Sequence, residues 1–223
     1  MAYYPIIIVL IFAVLDWIAV EKNWKPLEYV AKPATMLALL LWIGLSAGFG
    51  GSMLWFTIGV IFCLAGDVIL LMPPRLFIFG LLAFLVGQLS YVIGFNTSAP
   101  YLNLWGVFLA ILLGIYVGWL YPRLAASLTE KGLVKLKIPV LIYAIVISLM
   151  VYSALMTFTR PGWLWAGAVS ASIGALLFYI SDSTLAWDRF VNPLSHARLR
   201  TMIFYHLGVI GIVLGAIVYT GPK

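Results

Sequence analysis

Apolar residues in this chain gather into eight runs, each long enough to cross a bilayer. A spanning helix needs about 20 such residues. A backbone in hydrocarbon must bond to itself, so runs of this length read as α-helices. The runs are Tyr3–Val20, Leu27–Gly48 with a polar first turn, Ser52–Met72 stopped by Pro73-Pro74, Leu76–Phe95, Leu102–Tyr121 ended by Pro122, Ile138–Phe158 closed by Arg160-Pro161-Gly162, Trp163–Trp187 and Met202–Tyr219. Of the whole chain 65% is hydrophobic and 9% charged, where soluble domains are nearer 45–50% and about 25%. The fold class expected is all-α: a polytopic membrane protein, one transmembrane domain over residues 1–223. Connections at 49–51, 73–75, 96–101 and 159–162 are so short that the helices they join must run antiparallel.

The basic residues set an orientation. Lys22, Lys25, Lys32, Arg75, Arg123, Lys131, Lys135, Lys137, Arg189, Arg198 and Arg200 fall on the side of the loops after the first, third, fifth and seventh helices, and only Arg160 and Lys223 on the other. Lys/Arg-rich loops stay cytoplasmic, so both termini are expected to be extracytoplasmic. The same scatter argues against nucleic acid as the partner for a net charge of +6. Compact loops suggest a bacterial inner membrane.

Among the seven acidic residues, two organise the reading: Asp67 in Leu64-Ala65-Gly66-Asp67 and Asp182 in Ser181-Asp182-Ser183, each inside an apolar run. A carboxylate at a bilayer centre costs about 2.5–3.5 kcal/mol on insertion scales. Each acid lies five residues before the expected cytoplasmic end of its helix, roughly 7–8 Å inside it. Asp16, Lys32 and His206 fall at similar depth on three other helices, so five ionisable groups share one layer. One carboxyl in such a layer can keep a proton and act as a general acid. Lys32, beside Pro33, could hold a lipid phosphate, or its ammonium could reach out to the headgroups. Asp16 could simply face the interface next to Trp17, and His206 could be a helix-contact residue. Gln88 and Tyr91, one turn apart and deeper, could line a cavity or bond helix to helix. Glu130, Asp188 and His196 are expected in solvated loops. With Cys63 alone, no disulfide or cysteine metal cluster is expected, and no other metal or cofactor is called for.

The eight-helix layout, Lys32-Pro33 opening the second helix, Gly66-Asp67 before Val-Ile-Leu-Leu, the run from Ala83 to Tyr91, Ser181-Asp182-Ser183 before Arg189-Phe190, and Tyr205 opening the last helix resemble the YhhN family of lysoplasmalogenase-like membrane proteins. Gln88 stands where that family often has His. A Gln expected shortly after Tyr205 is absent, with Gly208 and Val209 there instead. The resemblance implies hydrolysis of the vinyl-ether bond of a lysophospholipid to a fatty aldehyde and a glycerophospho-base. It implies Asp67 and Asp182 as a catalytic carboxylate pair, Lys32 on the phosphate, and Asp16, Gln88, Tyr91, Ser181, Ser183, Tyr205 and His206 around the substrate. Two other classes fit the same acids. A proton-coupled transporter or lipid-binding membrane protein would use them as a relay. An intramembrane aspartyl protease would want Gly-x-Gly-Asp, and Leu64 stands at the first glycine.

Overall fold

The computed structural model describes residues 4–97 and 103–221. Tyr3, Leu102 and Lys223 lie outside them. Among the described residues the regular elements are all helical: α1 (Tyr4–Glu21), α2 (Lys25–Ser46), α3 (Met53–Leu71), α4 (Phe77–Phe95), α5 (Leu104–Glu130), α6 (Lys137–Leu155), α7 (Trp165–Ala186) and α8 (Ala197–Thr220), with 3₁₀ turns at Pro74–Leu76, Val134–Leu136 and Met156–Thr159. All eight are long and apolar enough to cross a membrane. Ile7, Ile11, Leu37, Leu41, Ile111, Ile115 and Ile142 point outward and exposed, as side chains do when lipid tails cover them. The protein is an integral membrane protein.

Packing is tightest where side chains vanish. On α7 and α8 the backbones touch: a Cβ added at Gly174 would lie 2.5 Å from the Ile212 nitrogen, and one at Gly208 2.7 Å from the Phe178 nitrogen. Ser170 and Ser181 of α7 donate to the carbonyls of Gly211 and Thr201 at 3.0 and 2.9 Å. Close approach at small residues plus such bonds is what holds helices together in lipid, where apolar burial drives nothing. On α3 and α4 the glycines make room for rings. Gly59 receives Tyr91 and Gly66 receives Phe84. Buried Arg160 donates to the Phe95 carbonyl and to Asn96 Oδ1, tying the end of α4 to the α6–α7 connection.

The helices differ in how deeply they sit. In its most apolar window α8 is 61% buried and α5 only 17%, so α8 is central and α5 peripheral. Around α8 lies the main core, with Phe56, Trp42, Tyr91 and Phe178 fully enclosed. A smaller core, Phe77, Leu120, Leu124, Leu128, Val140 and Phe190, fills the α4–α7 end that carries the basic loops.

Three boundaries depart from the sequence reading. Pro122 does not end α5, which runs to Glu130. A proline removes one backbone bond, here the one to the Gly118 carbonyl, and membrane helices tolerate such a loss; beside it the Arg123 guanidinium donates to the Trp119 carbonyl and lies over that indole. Next, α7 continues into a π-helical turn, Trp187–Val191. Asp188 therefore sits in a helical turn, half-buried, accepting the Leu194 N–H at 2.8 Å, and not in a solvated loop. Finally, α8 begins at Ala197, so His206 is nine residues in from its start. Glu130 and His196 are exposed as expected.

Candidate active site

The two intramembrane acids head separate clusters. Asp67 is fully buried near the end of α3. The neighbouring Gly66 has no side chain, so the Phe84 ring closes directly over the backbone there. From α2 the Lys32 ammonium comes within 3.5 Å of Asp67 Oδ1, and from α8 the Tyr205 hydroxyl donates to Oδ2 at 2.8 Å. Lys32 is itself buried; it neither reaches out to headgroups nor stands free for a phosphate. One turn before it, Glu28 is bridged to Arg198 of α8 at 2.7 Å and to Lys25 at 2.8 Å. These pairs, with His196 on Glu21 at 3.1 Å, close the bundle over the Asp67 cluster from the loop side.

Asp16 and His206 complete that cluster. Asp16 is fully buried rather than interfacial, within electrostatic reach of Lys32 and Asp67. The Trp17 indole donates to His206 Nδ1 at 3.0 Å, which assigns the proton of a neutral ring to Nε2. That Nε2 and both Asp16 oxygens are buried without a hydrogen-bond partner. Each orphaned group of this kind costs about 1–3 kcal/mol, a burden more usual at functional sites than in inert packing.

Asp182 is built differently. On its Oδ2 it accepts bonds from Tyr143 of α6 and, at 3.1 Å, from Gln88 Nε2 of α4; Gln88 also donates to the Tyr143 hydroxyl at 2.9 Å. Its Oδ1 takes no protein hydrogen bond, and the residue is only half-buried. It stands on the wall of an apolar cleft between α4, α5, α6 and α7. Val117, Ile147 and Tyr179 line the inner end, and Phe77, Leu124 and Phe190 the end toward the basic loops. Because α7 runs on through Val191, Asp182 lies nine residues from the end of the helical segment rather than five. It therefore reaches the depth at which Gln88 can meet it.

Phe84 and Phe178 stand between the clusters, with ring centroids 5.7 and 5.4 Å from that of Tyr205. Asp182 is within electrostatic reach of Asp67, but no hydrogen bond joins them. Of the other residues singled out, Ser183 lines the cleft and Ser181 is taken up by the Thr201 carbonyl. Tyr91 is enclosed, stacked on Phe56 with its hydroxyl 3.7 Å from Cys63 Sγ. Sequence reasoning missed Tyr143. Its one signal was a phenol in mid-span, away from the interfacial belt, where a buried hydroxyl needs a partner. Among the described residues no three His, Cys, Asp or Glu side chains gather as a metal site requires.

Known proteins carry the same sequence pattern. The family model described as the YhhN family matches residues 27–216. The lysoplasmalogenase TMEM86B of Mus musculus is 32% identical over 223 residues, covering 98% of this chain and 88% of its own. The human lysoplasmalogenase TMEM86B is 30% identical, covering 93% and 82%. The lysoplasmalogenase TMEM86A of Bos taurus is 30% identical, covering 72% and 64%. No solved structure matches.

Proposed function

Because the chain belongs to the YhhN family, we propose that it works as a single transmembrane domain that hydrolyses the vinyl-ether bond of a lysophospholipid, releasing a fatty aldehyde and a glycerophospho-base. Relatives named lysoplasmalogenase match it over nearly its full length. The observation that carries the reading is Asp182: an acid on the wall of an apolar cleft with one oxygen held by two donors.

Asp182 is the group that meets the substrate. With a proton on Oδ1, its carbonyl oxygen Oδ2 still accepts both bonds from Gln88 and Tyr143, so the neutral acid is held with its O–H toward the cleft. It gives that proton to the outer carbon of the double bond. The π pair becomes the new C–H bond, and the carbon attached to oxygen becomes an oxocarbenium centre. Water adds there, and the Asp182 carboxylate takes the proton that water releases, the acid-then-base reversal of retaining glycosidases. The hemiacetal then splits into aldehyde and glycerol hydroxyl. One water is consumed and the acid is restored. Asp67 acts from behind Phe84: with Lys32 and Tyr205 it fixes the field in which the positive charge develops. The single alkenyl chain lies among Val117, Ile147 and Tyr179.

The test is aldehyde release from an alkenyl-lysophospholipid by the purified protein in detergent; no aldehyde across several headgroups and chain lengths would discard the hydrolase. A proton-coupled carrier is the second reading, favoured by the orphaned Asp16 and His206. It predicts lipid movement coupled to protons with no chemical product. The basic loops support an orientation with both termini outside the cytoplasm. A C-terminal reporter active only in the cytoplasm should stay silent, and signal from it would reverse the orientation. The setting in a bacterial inner membrane rests on the compact loops.

A further inference from the structure

Lys32 is buried and occupied by Asp67, so a phosphate there would have to displace a buried carboxylate. The headgroup needs another cation. We infer that Arg189, assisted by Lys131, binds the phosphodiester of a lysophospholipid whose reactive bond lies at Asp182; this rests on the hydrolase reading of the cleft.

Position is the first argument. Asp182, Ala186 and Phe190 all line the cleft. Arg189 follows Asp182 by seven residues, the last three of them in the π turn, so it stands roughly 10 Å nearer the end of the element. From the ether oxygen of such a lipid to its phosphorus is five bonds, about 6 Å when extended. A long side chain reaching back from Arg189 closes the difference.

The second argument is how the cations are held. The Arg189 guanidinium lies 3.5 Å from the centre of the Phe77 ring, and Phe77 and Phe190 both line the cleft. Stacking uses the flat face of a guanidinium and leaves its in-plane N–H fork for a planar or tetrahedral oxyanion. Lys131, just past the end of α5, donates to the Phe190 carbonyl at 2.9 Å. Both residues are exposed, and among the described residues neither has an acidic partner. Two cations without an acidic ion-pair partner among the described residues thus sit against two aromatic residues of the cleft wall.

Binding separates this inference from the hydrolase reading. The probes are a 1-alkyl-glycerophosphoethanolamine, whose saturated ether resists this chemistry, and the headgroup-free 1-alkylglycerol, each titrated into the protein in detergent by tryptophan fluorescence. The wild type should bind the phospholipid at least tenfold more tightly. Arg189→Gln should weaken the phospholipid alone by about tenfold to a hundredfold, the loss of one charge-assisted contact, so that the two affinities converge. Arg189→Lys, which keeps the charge and loses the fork, should fall between and also guards against a misfolded Gln variant. A preference that survives Arg189→Gln, or a wild type with no preference, overturns the inference. A preference that is lost on substitution, in a protein that never makes aldehyde, upholds Arg189 and discards the hydrolase.

Discussion

Asp67 and Asp182 are both aspartates near the same end of neighbouring parts of one bundle, yet their surroundings oppose each other. Asp67 is sealed: a cation, a phenol and aromatic rings enclose it, and ion pairs cover it from the loops. Asp182 has no cation, two neutral donors on one oxygen, and a place on the wall of an apolar cleft. A charge locked in an ion pair is suited to shaping a field. A carboxyl with one satisfied and one free oxygen is suited to passing a proton. Environment, not residue type, divides the work.

The contrast can be broken at either acid. The largest expected effect is at Asp182→Asn, which keeps an oxygen for Tyr143 and Gln88 but has no proton to give. Aldehyde release should fall by about 10²–10⁴-fold, the usual span for a lost general acid, with melting temperature held. Turnover near wild type would transfer the chemistry elsewhere. Next comes Lys32→Met, which strands the Asp67 charge. Breaking one partner of a buried pair costs about 3–5 kcal/mol, read as lost stability in denaturant unfolding. Lys32→Met with Asp67→Asn should recover most of it. A single variant as stable as the parent would mean that Asp67 carries no charge to strand.

The tyrosines sharpen the comparison further. Tyr205→Phe removes a bond to a buried carboxylate and should cost about 1.5–3 kcal/mol of stability. Tyr143→Phe should instead lower kcat by about tenfold, one hydrogen bond's worth, with little change in unfolding. Exchange of those two outcomes would invert the assignment of roles. The smallest effect is expected at Ser181→Ala: about 1 kcal/mol of stability from its bond to the Thr201 carbonyl, and no change in rate, despite its place beside Asp182.

The eight spans were legible because a bilayer leaves a chain no other way to satisfy its backbone, and the runs of 18 or more residues say so directly. The acids were legible for a related reason, since a carboxyl in an apolar run stands out by its cost. What the sequence did not reveal is rotation and depth. Lys32 reads as a free cation until α2 is turned to face α3. The lengths of α5 and α7 depend on a helix that continues through Pro122 and on a π turn, neither of which has a run-length signature. The end of α7 in turn sets how deep Asp182 lies, and so why Gln88 and Tyr143, rather than Asp67, are its partners. Tyr143 itself is one tyrosine among twelve, and only its neighbours mark it out.

The backbone contact between α7 and α8 has a consequence for inheritance. Asp182 rides on one of these helices and Tyr205 on the other, and their spacing is gauged by Gly174 against Ile212 and Gly208 against Phe178. A missense change that adds a single methyl at either glycine has no side chain to push aside, only the opposite main chain. Such an allele would yield a protein with both acids intact and the Asp67 and Asp182 clusters out of register. Loss-of-function variants in this gene should therefore collect at glycines in the middle of the membrane as readily as at the acids.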